Sequence, residues 1–430
     1  MAGPTDLRNL HREHPSRYPF LLQSSAHGGD LGRFDILFAF PGDSIAAESG
    51  RRFLDDLDAC WQQERAEPMG SELPFLGGWF LFLGYELAQQ IETGLALGTD
   101  PVLPAAFAVR CPVGIIYDHA EKTCWLVAEP GHESECSQVR EDIEVLARTE
   151  FPQAATVSDV VEAPGEAFKS AVARAKEYIA AGDIYQANLS REWSAVVPAS
   201  VGASEVYEVL CHSNPAPFAG LVRWKDTAII SSSPERLLRV RDGIASTRPI
   251  AGTRPRSDDA EIDSNLSAEL FAHPKERAEH VMLIDLERND LGRVCRPGTV
   301  EVNEMMVLES YAHVHHIVSN VRGQLRGDVT PGQAIAAVFP GGTITGCPKV
   351  RCMEIIDELE HGPRGAYTGS FGYLNRDGSL DLNILIRTLV KQGQNVTFRA
   401  GSGIVADSDP QAELEETRAK AEGMLRAISG

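Results

Sequence analysis

Two pairs of glutamates share a spacing that suits metal chemistry. Glu276 and Glu279 stand in KERAEH, and Glu413 and Glu416 in AELEET. Residues three apart lie on one face of a helix. Two such helices facing each other could offer four carboxylates to a hard cation, and Mg²⁺ suits such oxygen donors. The same spacing also makes an ordinary solvated acidic face with i,i+4 bridges such as Glu416 to Lys420. Spacing alone leaves both readings open.

Other residues point to an anion. The stretches Gly341-Gly342-Thr343 and Ala400-Gly401-Ser402-Gly403 each follow an apolar segment. Such loops either bring backbone N–H groups close to an anion or simply turn the chain. GGTITGCPK lacks the spacing of a Walker loop. Arg387 interrupts the apolar run LNILIRTLV. A buried arginine needs a partner, and an anionic ligand serves as well as a structural carboxylate. His313, His315 and His316 lie in a strand-like segment, with His313 and His315 on one face and His316 on the other. No third metal ligand is apparent, which favours a lone catalytic or core histidine. Glu235 follows a proline in SSSPERLL, where a surface turn is the ordinary reading.

The elements that carry these residues read as α+β. Residues 168–181 have a helical apolar stripe that stops at Gly182. IYQANLSREW alternates as a strand, and AIISSSPERLLRV reads as strand, turn and strand. Residues 274–288 read as a helix. Thr330 and Pro331 look like an N-cap and first helical residue. A helix follows Pro348 to about Leu359. SFGYL, LDLNILIRTLV and NVTFRAGSGIV read as strands, and Asp409-Pro410 opens a last helix to about Ala427. Before residue 160, RFDILFAFP, CPVGIIYD and TCWLVAEP read as strands. A polar, Pro-containing stretch near residues 148–166 suggests a boundary, with an N-terminal subdomain over 1–160 and a catalytic subdomain over 161–430. Strands and helices interleave without a βαβ rhythm, which favours large antiparallel sheets packed face to face.

Composition narrows the partners. The 430 residues include 40 Lys+Arg and 61 Asp+Glu, a net charge of −21. Such a chain is a poor generic binder of nucleic acid or anionic membrane, so a small anion would have to be held locally. Its eight cysteines form no CxxC. The N-terminal residues lack the apolar core of a signal peptide, and the run at 73–85 is too short to span a bilayer. A reducing, cytoplasmic location is expected.

The segments GDIYQANLSREW, SSSPERLL, TRPIAGTRPR, KERAEHVMLIDLERNDLGRV, VHHIVSNVRGQL, FPGGTITGCPKVRCMEIIDELE, GSFGYL, LIRTL and AGSGIVADSDPQAELEET occur in that order. With them the chain resembles component I of the chorismate-utilising, ammonia-using enzymes, the aminodeoxychorismate (para-aminobenzoate) synthases and anthranilate synthases. The likeness runs along nearly the whole chain and is strongest from about 165 to 428. FLLQSSAHGGDLGRFDILFAFP, LPFLGGWFLFLGYEL and FPGGTITG look most like the aminodeoxychorismate synthase branch.

The resemblance implies two antiparallel sheets flanked by helices, with the active site between them. It implies Mg²⁺ on Glu279 and Glu416, supported by Glu276 and Glu413. Tyr367, Arg387, Gly401 and Gly403 would hold the enolpyruvyl carboxylate of chorismate. Gly252, Thr253 and Thr343 would line the ring pocket. Glu235 would be the general acid or base at the departing C4 hydroxyl. Gln186 stands where water-using relatives carry a lysine base, which points to ammonia as nucleophile. His316 matches a family histidine that does not separate the branches. No amidotransferase signature is visible, so a separate glutamine amidotransferase subunit is the implied ammonia source. One departure is plain. Many aminodeoxychorismate synthases carry a nucleophilic lysine in P-I-K-G-T, where this chain has Ala251, as anthranilate synthases do. Covalent catalysis through residue 251 is excluded. The expected reaction is chorismate to 4-amino-4-deoxychorismate on the folate route, with anthranilate formation as the alternative.

Overall fold

The computed structural model describes residues 6–25, 32–47, 51–146, 160–256, 259–272, 274–310 and 314–429. The boundary expected at 148–166 therefore falls largely outside the described residues, as does His313. The described strands form two sheets of 11 and 10 strands, and every pairing is antiparallel. The first runs through Gln186–Val196, Asn395–Ile404, Thr388–Gln392, Thr227–Ser233, Phe218–Trp224, Phe20–Gln23, Phe34–Ala39, Val113–Asp118 and Thr123–Ala128. The second runs through Ile250–Pro255, Val314–Gln324, Ile244–Arg248, Arg236–Arg241, Leu380–Asn383, Ser370–Asn375, Gly78–Leu83 and Ala106–Cys111. Strands from before and after residue 160 enter both sheets.

The sheets meet through aromatic side chains. Phe20, Phe38 and Val222 of the first pack with Phe80, Phe82, Phe107 and Phe371 of the second in one buried cluster. The rings of Phe20 and Phe80 stack with centroids 4.1 Å apart, and those of Phe107 and Trp224 at 4.0 Å. Gly220 makes room for this contact, because a Cβ there would lie 2.6 Å from the Phe371 ring. Burying several phenylalanines, at about 1.5–3 kcal/mol each, drives the face-to-face packing.

The apolar run LNILIRTLV is not one strand. Leu380–Asn383 belongs to the second sheet and Thr388–Gln392 to the first. The chain crosses between sheets over residues 384–387, and Arg387 takes a left-handed φ of 54° at the crossing. The run is apolar throughout because Ile384 and Leu385 are buried at the crossing while each half feeds a different core. A second crossing lies beside it, from Thr227–Ser233 to Arg236–Arg241, with Glu235 at the turn. Hydrogen bonds join the two. Ile384 N donates to Glu235 O at 3.0 Å, Ser232 N to Arg387 O at 3.1 Å, and the Ser231 and Thr388 hydroxyls lie 2.8 Å apart.

Helices cover the outer faces. Gly165–Ala181 ends at Gly182 with φ 82°, where a Cβ would be strained. Thr330 and Gln333 form a capping box before Pro331–Val338. Pro274–Gly292 runs a turn beyond the expected 288. Pro410–Ser429 starts at Asp409, whose carboxylate accepts from Gln411 N and Ala412 N at 3.0 and 2.9 Å. Among the described residues no helix is long and apolar enough to cross a membrane.

Candidate active site

The two crossings place Glu235 and Arg387 together. Glu235 is 5 % exposed, in contrast to the surface turn its sequence context suggests. Burial pushes its carboxyl from 4.5 up to about 7. The opposing influences are weaker: the Thr343 hydroxyl, the Ile250 N–H at 3.5 Å, and the charges of Arg387 and Lys420. The buried Thr343 hydroxyl has no hydrogen-bond partner of good geometry among the described residues, although it faces this carboxyl. Near neutral pH the site therefore holds a carboxyl group able to give or take a proton.

Arg387 is half-buried, and loss of water around it lowers its basicity. No ion pair or hydrogen bond engages its guanidinium among the described residues. The ionisable groups whose fields reach it are Tyr367, Glu416 and Glu235. A desolvated arginine without a structural carboxylate is placed to receive an anion.

Tyr367 and the Gly-rich strand Asn395–Ile404 form the next wall. A Cβ on Gly401 would lie 2.6 Å from the Tyr367 hydroxyl and 2.6 Å from Leu189 O. A Cβ on Gly403 would lie 2.7 Å from Gln186 Nε2. The missing side chains let Tyr367 and Gln186 lie directly against the backbone. Gln186 is 7 % exposed, and its Oε1 finds no partner among the described residues. Lys420 Nζ donates to Gly401 O at 3.1 Å and pairs with Glu416 at 2.6 Å. The ordinary i,i+4 bridge is thus present, and it also ties the last helix to the glycine wall.

The opposite wall comes from Ile250–Pro255. Gly252 takes φ 69° at a bulge between Ala251 and Thr253, and Thr253 stands opposite His316 in the ladder. The side chains of Ala251 and Thr253 lie outside the described residues. His316 is buried against the Gly252 backbone; burial first, then the Arg387 charge, lower it to about 4, so the imidazole is neutral. His315 turns elsewhere, to Ser310 Oγ at 2.7 Å and Asp263 at 3.0 Å.

Residues 18–426 match the family model described as chorismate binding enzyme. The chain belongs to the chorismate-binding enzyme family. It is 42% identical over 448 residues to "Aminodeoxychorismate synthase component 1" of Bacillus subtilis, an alignment covering 98% of this chain and 94% of that one. It is 38% identical over 465 residues to "Anthranilate synthase component 1" of Synechocystis, covering 96% and 91%. The solved anthranilate synthase component I of Streptococcus pneumoniae superposes with a TM-score of 0.83 at 32% identity, over 93% of each chain. The fold is that of component I, and the chain is a chorismate-converting enzyme of this family.

The four carboxylates expected to hold a metal are unevenly placed. Glu279 on Pro274–Gly292 and Glu413 on Pro410–Ser429 are half-buried, and Glu416 is exposed. The side chain of Glu276 lies outside the described residues. Among the described residues no three carboxylate, histidine or cysteine side chains form a metal cluster. Glu416 nevertheless projects its field onto Arg387, so its carboxylate borders the cleft. The donor chemistry of Glu279 and Glu416 suits a hard cation such as Mg²⁺.

Sequence reading missed one carboxyl of this chorismate enzyme. Glu287 is 6 % exposed, and its Oε1 would lie 3.5 Å from a Cβ on Gly342. Burial, then the neighbouring Asp290, push its carboxyl up, against the pull of Lys349 and the Thr247 hydroxyl. Lys349 is committed elsewhere, to Asp290 at 2.5 Å and Val338 O at 3.0 Å. Glu235 and Glu287 thus border the same loop, through Thr343 and Gly342. The only signal in the sequence was the position of Glu287 two helical turns past Glu279.

Proposed function

We propose that the chain converts chorismate and ammonia to 4-amino-4-deoxychorismate and water. The observation that carries this reading is that one cleft holds both a protonatable buried Glu235 and Arg387, whose guanidinium no ion pair or hydrogen bond engages among the described residues. Arg387, Tyr367 and the backbone at Gly401 and Gly403 would bind the enolpyruvyl carboxylate. Gly252, Thr253 and Thr343 would border the ring. Glu279 and Glu416, with Glu276 and Glu413 in support, would hold Mg²⁺, which supplies positive charge for the ring carboxylate.

Hydroxide is a poor leaving group, so Glu235 would protonate the C4 oxygen as its bond to carbon breaks, releasing water. Gln186 cannot deprotonate water, which supports ammonia as the nucleophile. His316, neutral in its buried setting, would serve the ring wall as a hydrogen-bonding group. Ala251 provides no nucleophile, so ammonia or another small nucleophile would add at C2 as the C4 hydroxyl leaves, and would itself depart from C2 as ammonia adds at C4. The likeness to component 1 proteins supports a separate glutamine amidotransferase partner as the ammonia source, and a cytoplasmic place on the para-aminobenzoate and folate route.

Ala251 favours a second reading, anthranilate formation. There ammonia stays at C2, and pyruvate and water are lost. The test is a product assay with chorismate, Mg²⁺ and an ammonium salt at alkaline pH. Para-aminobenzoate appearing only after addition of an aminodeoxychorismate lyase is the expected result. Anthranilate and pyruvate without the lyase would overturn it in favour of the second reading. Water addition at C2 without ammonia would overturn both.

A further inference from the structure

A separate groove lies at the far end of the strand Arg236–Arg241, where Arg239 and Arg241 stand about 13 and 20 Å along the strand from Glu235 at the usual rise of about 3.3 Å per residue. Its volume is about 350 Å³. Arg65, Arg239, Arg241, Arg296 and Arg326 line it, against the carboxylates Asp242 and Asp377. Five positive and two negative charges leave +3 in this groove, on a chain whose net charge is −21.

Few of these arginines meet a carboxylate closely; Arg241 donates instead to Ser71 O at 2.9 Å and Arg326 to Arg293 O at 2.8 Å. Arg241 Nε stands 3.9 Å from Asp242 and Arg326 Nε 3.5 Å from Asp328. Both carboxylates are exposed, and such pairs contribute little. Arg65 lies over the Trp61 ring, 5.2 Å from its centroid. No ion pair or hydrogen bond engages the side chains of Arg239 and Arg296 among the described residues. Arg239 and Arg241 both act on Tyr373 on the groove wall, as does Asp381, which stands opposite Arg239 in the ladder and is itself paired with Arg236 at 2.8 Å. Trp61, 7 % exposed, also lines the groove, and its buried indole N–H has no acceptor among the described residues. Crowded like charges destabilise a surface unless a counter-charge binds, and guanidinium groups match oxyanions in bidentate geometry.

We propose that this groove is a binding site for a small polyanion of the phosphate or polycarboxylate class. The site is distinct from the Glu235 cleft and does not depend on the reaction assigned there. Pyrophosphate and citrate are the probes, each titrated calorimetrically into the full chain at low ionic strength. Saturable one-site binding of either is expected, and whichever binds tighter names the class. The double variant Arg239→Gln, Arg296→Gln should weaken it by about tenfold or more, the loss of at least one charge-assisted contact. A control pair on exposed helix surfaces, Arg174→Gln with Arg426→Gln, should leave it within about twofold, the scale of a small screened field change. Arg239→Lys should fall between, because it keeps the charge and loses the fork. Should the double variant unfold, the exposed Arg296→Gln alone supplies the comparison. Absence of saturation with both probes, undiminished binding in the groove variants, or equal weakening in the control pair would each overturn the proposal.

Discussion

Two desolvated clusters of arginine and glutamate share Tyr367 as a neighbour, and they are built in opposite ways. In the first, Glu360 is 2 % exposed at its side chain and accepts from Ser190 N at 2.7 Å, Arg364 Nη2 at 2.6 Å and Arg399 Nη2 at 3.0 Å. Arg364 spends its remaining donors on Asn188 O at 2.6 Å, Ile344 O at 3.1 Å and Thr368 at 3.2 Å. Burial would raise the Glu360 carboxyl, but the two arginines outweigh it and hold the group below its usual value. In the second cluster Glu235 and Arg387 are also desolvated, yet among the described residues neither is held by an ion pair. There burial wins for both, and each moves toward its neutral form. The same residue types make a bolt where they satisfy each other and, where they do not, the site proposed for the reaction.

The largest effect is expected at the carboxylates proposed to hold Mg²⁺. Glu279→Gln or Glu416→Gln should reduce Mg²⁺-dependent turnover of chorismate to background, measured at saturating ammonium. Near wild-type rates in both variants would remove these residues from the cleft's machinery. On the bolt, Glu360→Ala should cost about 3–5 kcal/mol of stability in chemical denaturation, because it strands two buried arginines. A loss below 1 kcal/mol would place Glu360 with the unpaired cluster instead. Arg387→Met should act the other way, with stability unchanged or improved while the KM for chorismate rises by about tenfold or more, as expected when a charged contact is removed. Unchanged KM would end its role as carboxylate anchor. The smallest effect is expected at Gly403. Gly403→Ala puts a Cβ 2.7 Å from the Gln186 amide, which must shift, so a few-fold rise in KM is expected with stability nearly intact.

The paired cluster was invisible in the sequence, and the unpaired one was partly legible. Arg387 is conspicuous because a charge interrupts an apolar run, but the run's otherwise unbroken apolar character predicts one strand. An apolar stretch feeding two cores in turn has no periodicity that marks the crossing, and only the left-handed backbone at Arg387 reveals it. Glu235 looked like a surface residue because its motif is short and polar. Its burial comes from the other crossing, residues 384–387, some 150 residues away in the chain. Helix limits were read within a turn, since Gly182, Thr330 and Asp409 are local caps whose chemistry acts within four residues. Glu287 went unread because its importance depends on Gly342, which approaches it only in the fold.

If Glu235 is kept free of an ion pair for chemistry, its loss moves activity and stability in opposite directions, and one variant tests both. A carboxyl raised from 4.5 to about 7 binds its proton more tightly when folded. Stability therefore falls as pH rises through that window and stays lower above it. The shift corresponds to about 3 kcal/mol at most, and Gln, which cannot ionise, removes that cost. Measured on one preparation at pH 8, Glu235→Gln should lose about 10²-fold or more in turnover while resisting denaturant better than wild type. At pH 4.5 the two should be equally stable. Retained turnover, or a variant less stable than wild type at pH 8, would contradict the account.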